Sequence, residues 1–160
     1  MIRLFRWFLT ILSLLTLLAL VGGVVRTLMM VRTDDQELFL ASTTPAPLPD
    51  GFYVGDAGEL SGPWLGKRFD RANSRGINLF SQRGQEREAY PFRTSIGKGL
   101  RDGHMDVLQI DYDIDGNPFW LRPALDEMVQ VQPGLLLGKL HYRLIPGYPF
   151  TITFFRLEMQ

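Results

Sequence analysis

The chain has no cysteine. That excludes a disulfide framework, a cysteine-ligated zinc site and a lipoprotein anchor, although an oxidising compartment permits disulfides without requiring them. Histidine is almost as scarce: His104 and His141 are the two present, and no H-x-H or H-E-x-x-H spacing joins them to a metal site. There is no serine nucleophile elbow and no phosphate-binding glycine loop. Net charge is absent as well, with 17 basic and 17 acidic side chains. No internal repeat or low-complexity tract is evident, and past the first 30 residues a helical period is found only weakly, in PALDEM at 123–128.

What stands out is a long apolar run. Residues 7–25, WFLTILSLLTLLALVGGVV, carry no charge and three hydroxyls, Thr10, Ser13 and Thr16. About 20 apolar residues cross the hydrocarbon core of a bilayer. Three readings compete: an uncleaved signal anchor, a cleaved signal peptide and a buried core helix. A core helix should show a polar stripe, and none exists. A cleaved signal has a shorter apolar region, of about 7–15 residues, and a small-x-small site, whereas Arg26, Thr27, Leu28, Met29 and Met30 follow here. The anchor is therefore the leading expectation. Arg3, Arg6 and the terminal amine precede the run, and Arg26 and Arg32 follow it. The positive-inside bias tips slightly toward a cytoplasmic N-terminus, as in a bacterial inner-membrane protein whose C-terminal domain is periplasmic. Nucleic acid is not an expected partner in that setting.

Three regions result: 1–32 as membrane anchor, 33–50 as a Pro-rich tether, and 51–160 as a β-barrel-like domain. In the tether, Pro45, Pro47 and Pro49 alternate and favour an extended, semi-rigid spacer. Leu38, Phe39 and Leu40 are placed to rest on the membrane or on the domain. From Gly51 on, short β-branched and aromatic segments alternate with Gly, Pro, Asn and Asp. They are 52–54, 63–69, 77–81, 89–96, 106–114, 118–122, 127–132, 135–144 and 149–158. This spacing predicts an antiparallel sandwich or barrel. The clearest strand is 107–114. There Leu108, Ile110, Tyr112 and Ile114 alternate with Val107, Gln109, Asp111 and Asp113, as one buried and one wet face would require. Asp115-Gly116 then signals a hairpin. Charge is unevenly spread: 67–101 is mostly basic and 102–127 mostly acidic. In a meander these halves neutralise one another, or leave a basic patch for anionic lipid.

Gly62-Pro63-Trp64-Leu65-Gly66-Lys67 opens a predicted strand. Glycine permits a tight entry and tryptophan buries a large ring with its N–H on a polar partner. Here the chain resembles the lipocalin-like (calycin) barrels, which carry G-x-W near the first strand and a basic residue near the last that packs on the indole. Trp64 and Arg156 fill those places. The chain also resembles a group named for its G-x-W-x-G motif. That likeness runs through Gly62, Trp64, Gly66, Lys67 and Phe69, then Asp111, Tyr112, Asp113 and Pro118, then Leu137-Gly138-Lys139 and Phe155-Arg156-Leu157, over most of 60–158. It implies a small β-rich domain without a settled activity. The plainer reading of Trp64 is a core ring.

Asp111-Tyr112-Asp113-Ile114-Asp115-Gly116 matches the opening of a calcium-binding EF-hand loop, but position twelve is Arg122 where a carboxylate belongs. A set of His141, Asp126 and Tyr142 can be imagined as catalytic, though no spacing demands it. The expectation is thus a mainly β protein: an N-terminal transmembrane helix and a small antiparallel, lipocalin-like barrel, with no catalytic set, metal or cofactor assigned. The barrel is expected to hold an apolar or amphipathic small molecule such as a lipid. Trp64, Tyr112 and Trp120 are candidate pocket residues, and Arg93, Arg143 and Arg156 candidates for an anionic head group. The alternative is an accessory subunit of a larger membrane complex, with Ser13, Thr16 and Gly22-Gly23 packed against a partner membrane protein. An enzyme acting on a membrane-soluble substrate is the third possibility.

Overall fold

The computed structural model describes residues 2–160. Helix α1 (Ile2–Met30) has no interior proline, and Thr10 and Thr16 donate their hydroxyls back to Arg6 O (3.0 Å) and Leu12 O (2.9 Å). These two hydroxyls of the run are thus satisfied within the helix. None of its most apolar 18-residue window is buried, so it is not a core helix of this chain. It is long and apolar enough to span a membrane.

The last turns of α1 lie on the barrel. Gly23 meets the ring of Phe150, which a Cβ would approach to 2.9 Å. Arg26 Nε donates to Ile152 O (2.6 Å), and Thr151 N donates to Thr27 Oγ1 (3.0 Å). Gly23 therefore serves this contact rather than standing free for a partner helix.

Residues 33–50 form no free extended spacer. Thr33 caps helix α2 (Asp34–Ala41), accepting from Gln36 N, and Asp34, Asp35 and Glu37 suit the positive end of its dipole. Phe39 is fully buried among Val107, Val129, Leu137 and Phe154. Beyond α2, Pro45 and Pro49 are buried and Leu48 packs on the barrel's inner cluster. The Pro-rich stretch closes one end of the barrel.

Among the described residues eight strands follow: β1 (Gly51–Asp56), β2 (Trp64–Asp70), β3 (Arg75–Gln82), β4 (Gln85–Lys98), β5 (Asp106–Asp111), β6 (Ala124–Gln132), β7 (Leu135–Ile145) and β8 (Tyr148–Met159). Each pairs antiparallel with the next, and β8 pairs with β1 to close the barrel. This is an up-and-down barrel with no free edge. Four expectations need correction. Residues 118–122 are turns, not a strand, and PALDEM opens β6 rather than a helix. Both faces of β6 are buried, because α2 and the 99–105 segment cover its outside. Its sequence therefore lacks the alternation of a half-wet strand. For the same reason Val107 is buried on the outer face, where a wet position was expected. Asp115-Gly116 lies within the longer β5–β6 loop, since β5 ends at Asp111.

Gly66 explains the tryptophan motif. It sits at φ +138°, and a Cβ there would fall 2.0 Å from Tyr53 O. Only glycine lets β2 approach β1 this closely. The register of β2 shifts between Trp64 and Gly66, so Trp64 and Lys67, three apart, both point inward.

Strand alternation puts the β1–β2, β3–β4, β5–β6 and β7–β8 connections at one end of the barrel, with the Pro-rich closure at the other. Because Gly23, Arg26 and Met30 meet Phe150, Ile152 and the Phe154 cluster in turn, α1 runs the same way as β8. Residues 2–22 continue past the β7–β8 end for about 31 Å, at 1.5 Å per residue.

Candidate functional site

At the β7–β8 end the barrel is hollow. A cavity of about 310 Å³ is lined by Trp64, Lys67, Asn78, Phe80, Tyr90, Tyr112, Trp120, Leu121, Ala124, Asp126, Leu140, Tyr142 and Phe155. The half-buried or exposed Phe80, Tyr90, Trp120, Leu121 and Tyr142 form its rim, and buried Lys67, Asn78, Tyr112, Asp126 and Phe155 its floor.

The rim is built by a bulge. Between Ile77↔Pro91 and Asn78↔Ala89 the register of β4 gains Tyr90, held at φ +56°. A bulky residue rarely occupies that region, and bulges re-aim side chains. Asn78 Nδ2 donates to Tyr90 O (2.9 Å) and holds the bulge in place. The Tyr90 ring meets Phe80 (5.5 Å) and Trp120 (5.8 Å) edge to face. Tyr142 OH donates to Trp120 O (2.6 Å), tying the β5–β6 loop to β7.

The floor is polar and fully engaged on one side. Lys67 Nζ donates to Asn78 Oδ1 (2.9 Å) and Tyr112 OH and pairs with Asp126 Oδ2 at 3.0 Å. The same ammonium lies 5.2–5.4 Å from the ring centroids of Tyr112, Phe92, Phe155 and Trp64. Trp64 Nε1 donates to Asn78 Oδ1 (3.1 Å), and Tyr112 OH to Asp126 Oδ2 (3.1 Å). Burial lowers the pKa of Lys67 from its usual 10.5, against the pull of Asp126. Burial, helped by the Asp126 charge, holds the Tyr112 phenol well above 10.

Of the six candidate ligand residues, the structure brings Trp64, Tyr112 and Trp120 together in this cavity. It places the arginines elsewhere. Arg156 pairs with Asp35 of α2 on the outer face, Arg143 Nη2 donates to Asp111 (2.6 Å), and exposed Arg93 donates to Asp113 O (2.8 Å). Arg156 does not pack on the indole. Phe155 does, edge to face at 5.6 Å, and the cation beside it is Lys67. Lys67, Asn78 and Asp126 were not singled out as ligand residues. Their signal was three polar residues on inward-facing strand positions, which for Lys67 is legible only once the β2 bulge is known.

A second buried polar group lies outside the barrel wall. Thr151 Oγ1 sits 3.2 Å from His141 Nδ1, and His141 Nε2 3.1 Å from Glu127 Oε2, all three side chains fully buried. Lys139 pairs with Asp102 and, through Gln36, with α2. The hydroxyl–imidazole–carboxylate order resembles a nucleophilic triad, but all three side chains are shut off from solvent. Its geometry fastens α2 and the 99–105 segment to β6–β8. Asp126 and Tyr142 face inward and His141 outward, so the sheet divides that imagined catalytic set. In the DxDxDG segment, Asp113 pairs with Arg122 (2.6 Å) and Asp111 with Arg143, so arginines neutralise these carboxylates. No group of three or more potential metal-ligating side chains is found among the described residues.

No protein-family model matches the chain, and no curated protein matches it by sequence. One solved structure, a crystal structure of a protein from Thermomonospora curvata, is similar in fold. Its TM-score is 0.55 at 19% identity, over 78% of this chain and 84% of that one. At that identity the likeness establishes the small-barrel fold.

Proposed function

We propose that this protein is a single-pass membrane anchor carrying an extracytoplasmic barrel that binds, without catalysis, an apolar or amphipathic molecule such as a lipid. One observation carries the reading: the cavity opens at the barrel end beyond which the apolar helix projects. The projecting length of about 31 Å equals the thickness of a bilayer's hydrocarbon core. A helix crossing the membrane then presents the mouth to the bilayer surface. The same end exposes Leu60, Phe119 (86%), Trp120, Leu144 and Ile145. Aromatic and aliphatic side chains of this kind favour the membrane interface. Retention of α1 as an anchor is favoured over cleavage, because loss of Gly23 and Thr27 would bare Phe150 and leave Thr151 N–H without its acceptor. The eight-strand up-and-down order is compatible with the lipocalin-like resemblance, although the cation beside the indole is Lys67 and not Arg156.

The test is purification of the full chain in mild detergent, followed by native mass spectrometry and solvent extraction. A bound small lipid or other amphiphile is the expected result. An empty barrel that co-purifies in fixed ratio with another membrane protein would favour the accessory-subunit alternative.

A further inference from the structure

We infer that the ligand buries an uncharged hydrogen-bond donor, such as a hydroxyl or amide N–H, against Asp126 Oδ1, and that the cavity rejects carboxylates. This rests on the lipid-binding reading above and narrows its chemistry. Asp126 Oδ2 takes both Lys67 and Tyr112. Asp126 Oδ1 takes no hydrogen bond from any described residue, yet no wholly buried side-chain polar atom lacks a partner. The free oxygen is therefore open to the cavity that Asp126 lines. Every other polar group of the floor is engaged. Three oxygens surround the Lys67 ammonium, one for each of its protons, and Tyr112 gives its own to Asp126. Asn78 accepts from Trp64 and Lys67 and donates to Tyr90 O and Tyr112 OH.

The floor thus offers a ligand an acceptor and little else. Lys67 and Asp126 cancel in charge, and among the described residues no second lysine or arginine lines the cavity. A buried carboxylate would face Asp126 without a cation of its own, which is strongly unfavourable. A hydroxyl on an alkyl chain satisfies the oxygen and fills the aromatic space above it. At interior packing density, about 310 Å³ holds roughly a dozen non-hydrogen atoms.

The experiment uses the full chain in phosphatidylcholine nanodiscs with Trp7→Phe, so that emission reports Trp64 and Trp120. It is titrated at pH 8 with decan-1-ol, decyl methyl ether and decanoate, each expressed as mole fraction in the bilayer. Decanol is expected to bind at least about tenfold more tightly than the ether, the scale of a hydrogen bond to a charged group, with decanoate weakest. In a Lys67→Met/Asp126→Leu variant the alcohol's advantage should fall to within about twofold while the ether still binds. Equal binding of alcohol and ether, or preference for decanoate, overturns the inference and leaves the cavity reading standing. Silence from all three overturns both. The comparison on the otherwise native chain decides even where the double variant does not fold.

Discussion

Removing one member of the Lys67–Asp126 pair should cost far more than removing both. The charges lie 3.0 Å apart, each side chain at most 4% exposed. At an effective dielectric constant of 20 their attraction is about 5.5 kcal/mol, set against several kcal/mol of desolvation for each ion. The intact pair is therefore close to neutral relative to apolar residues of similar size, whereas a single survivor is a buried charge without compensation. Lys67→Met or Asp126→Leu alone should cost about 3–5 kcal/mol. With a Tm shift of about 2–4 °C per kcal/mol for a chain of this size, melting should fall by at least about 6 °C. The Lys67→Met/Asp126→Leu chain should recover most of that loss, giving a coupling of at least about 2 kcal/mol. Near-ultraviolet circular dichroism of the full chain in mild detergent follows the melt through the aromatic floor. Single variants costing under about 1 kcal/mol, with an additive double, would refute a desolvated floor.

Alkaline titration tests the same cluster. Lys67 in the fold releases its proton below 10.5, so between its lowered pKa and 10.5 the unfolded chain holds more protons and stability rises with pH. Tyr112 keeps its proton above 10 while the unfolded chain loses it, so stability falls beyond that point. The urea midpoint should climb, then turn over near pH 10, and Lys67→Met should flatten the climb. Gly66→Ala, which drives a Cβ to 2.0 Å from Tyr53 O at a positive φ, should cost more than about 2 kcal/mol in a thermal melt. Thr27→Val removes the acceptor of Thr151 N and should speed hydrogen exchange at that amide, while exchange at Leu108 and Ile110 stays unchanged.

Much of the fold was legible because its signals are local. The nineteen-residue apolar run, the turn glycines and the alternation in 107–111 need no tertiary knowledge. The misreading of β6 and of Val107 has one physical cause, a second layer laid on the barrel's outside. Phe39, Leu137 and Phe154 cover outward-facing positions, so β6 lost its alternation and read as a weak helix. The cap on α2 was present as Thr33 and Gln36, three apart, but the nearby prolines drew the reading toward a spacer. Within the site, the aromatic residues Trp64, Tyr112 and Trp120 were legible from size and strand position. Lys67 and Asp126 were not, since the bulge at Trp64/Gly66 turns Lys67 inward and Asp126 lies in a stretch that reads as a weak helix rather than as β6.

The absence of native cysteine permits single-site labelling of the barrel's two ends. Phe119→Cys, at the cavity mouth, and Asn73→Cys, in the turn at the opposite end, can each carry a spin label in nanodisc-embedded protein. Paramagnetic accessibility should place the label at 119 in the headgroup region and the label at 73 in water. Equal water exposure of the two would show that the mouth does not face the bilayer.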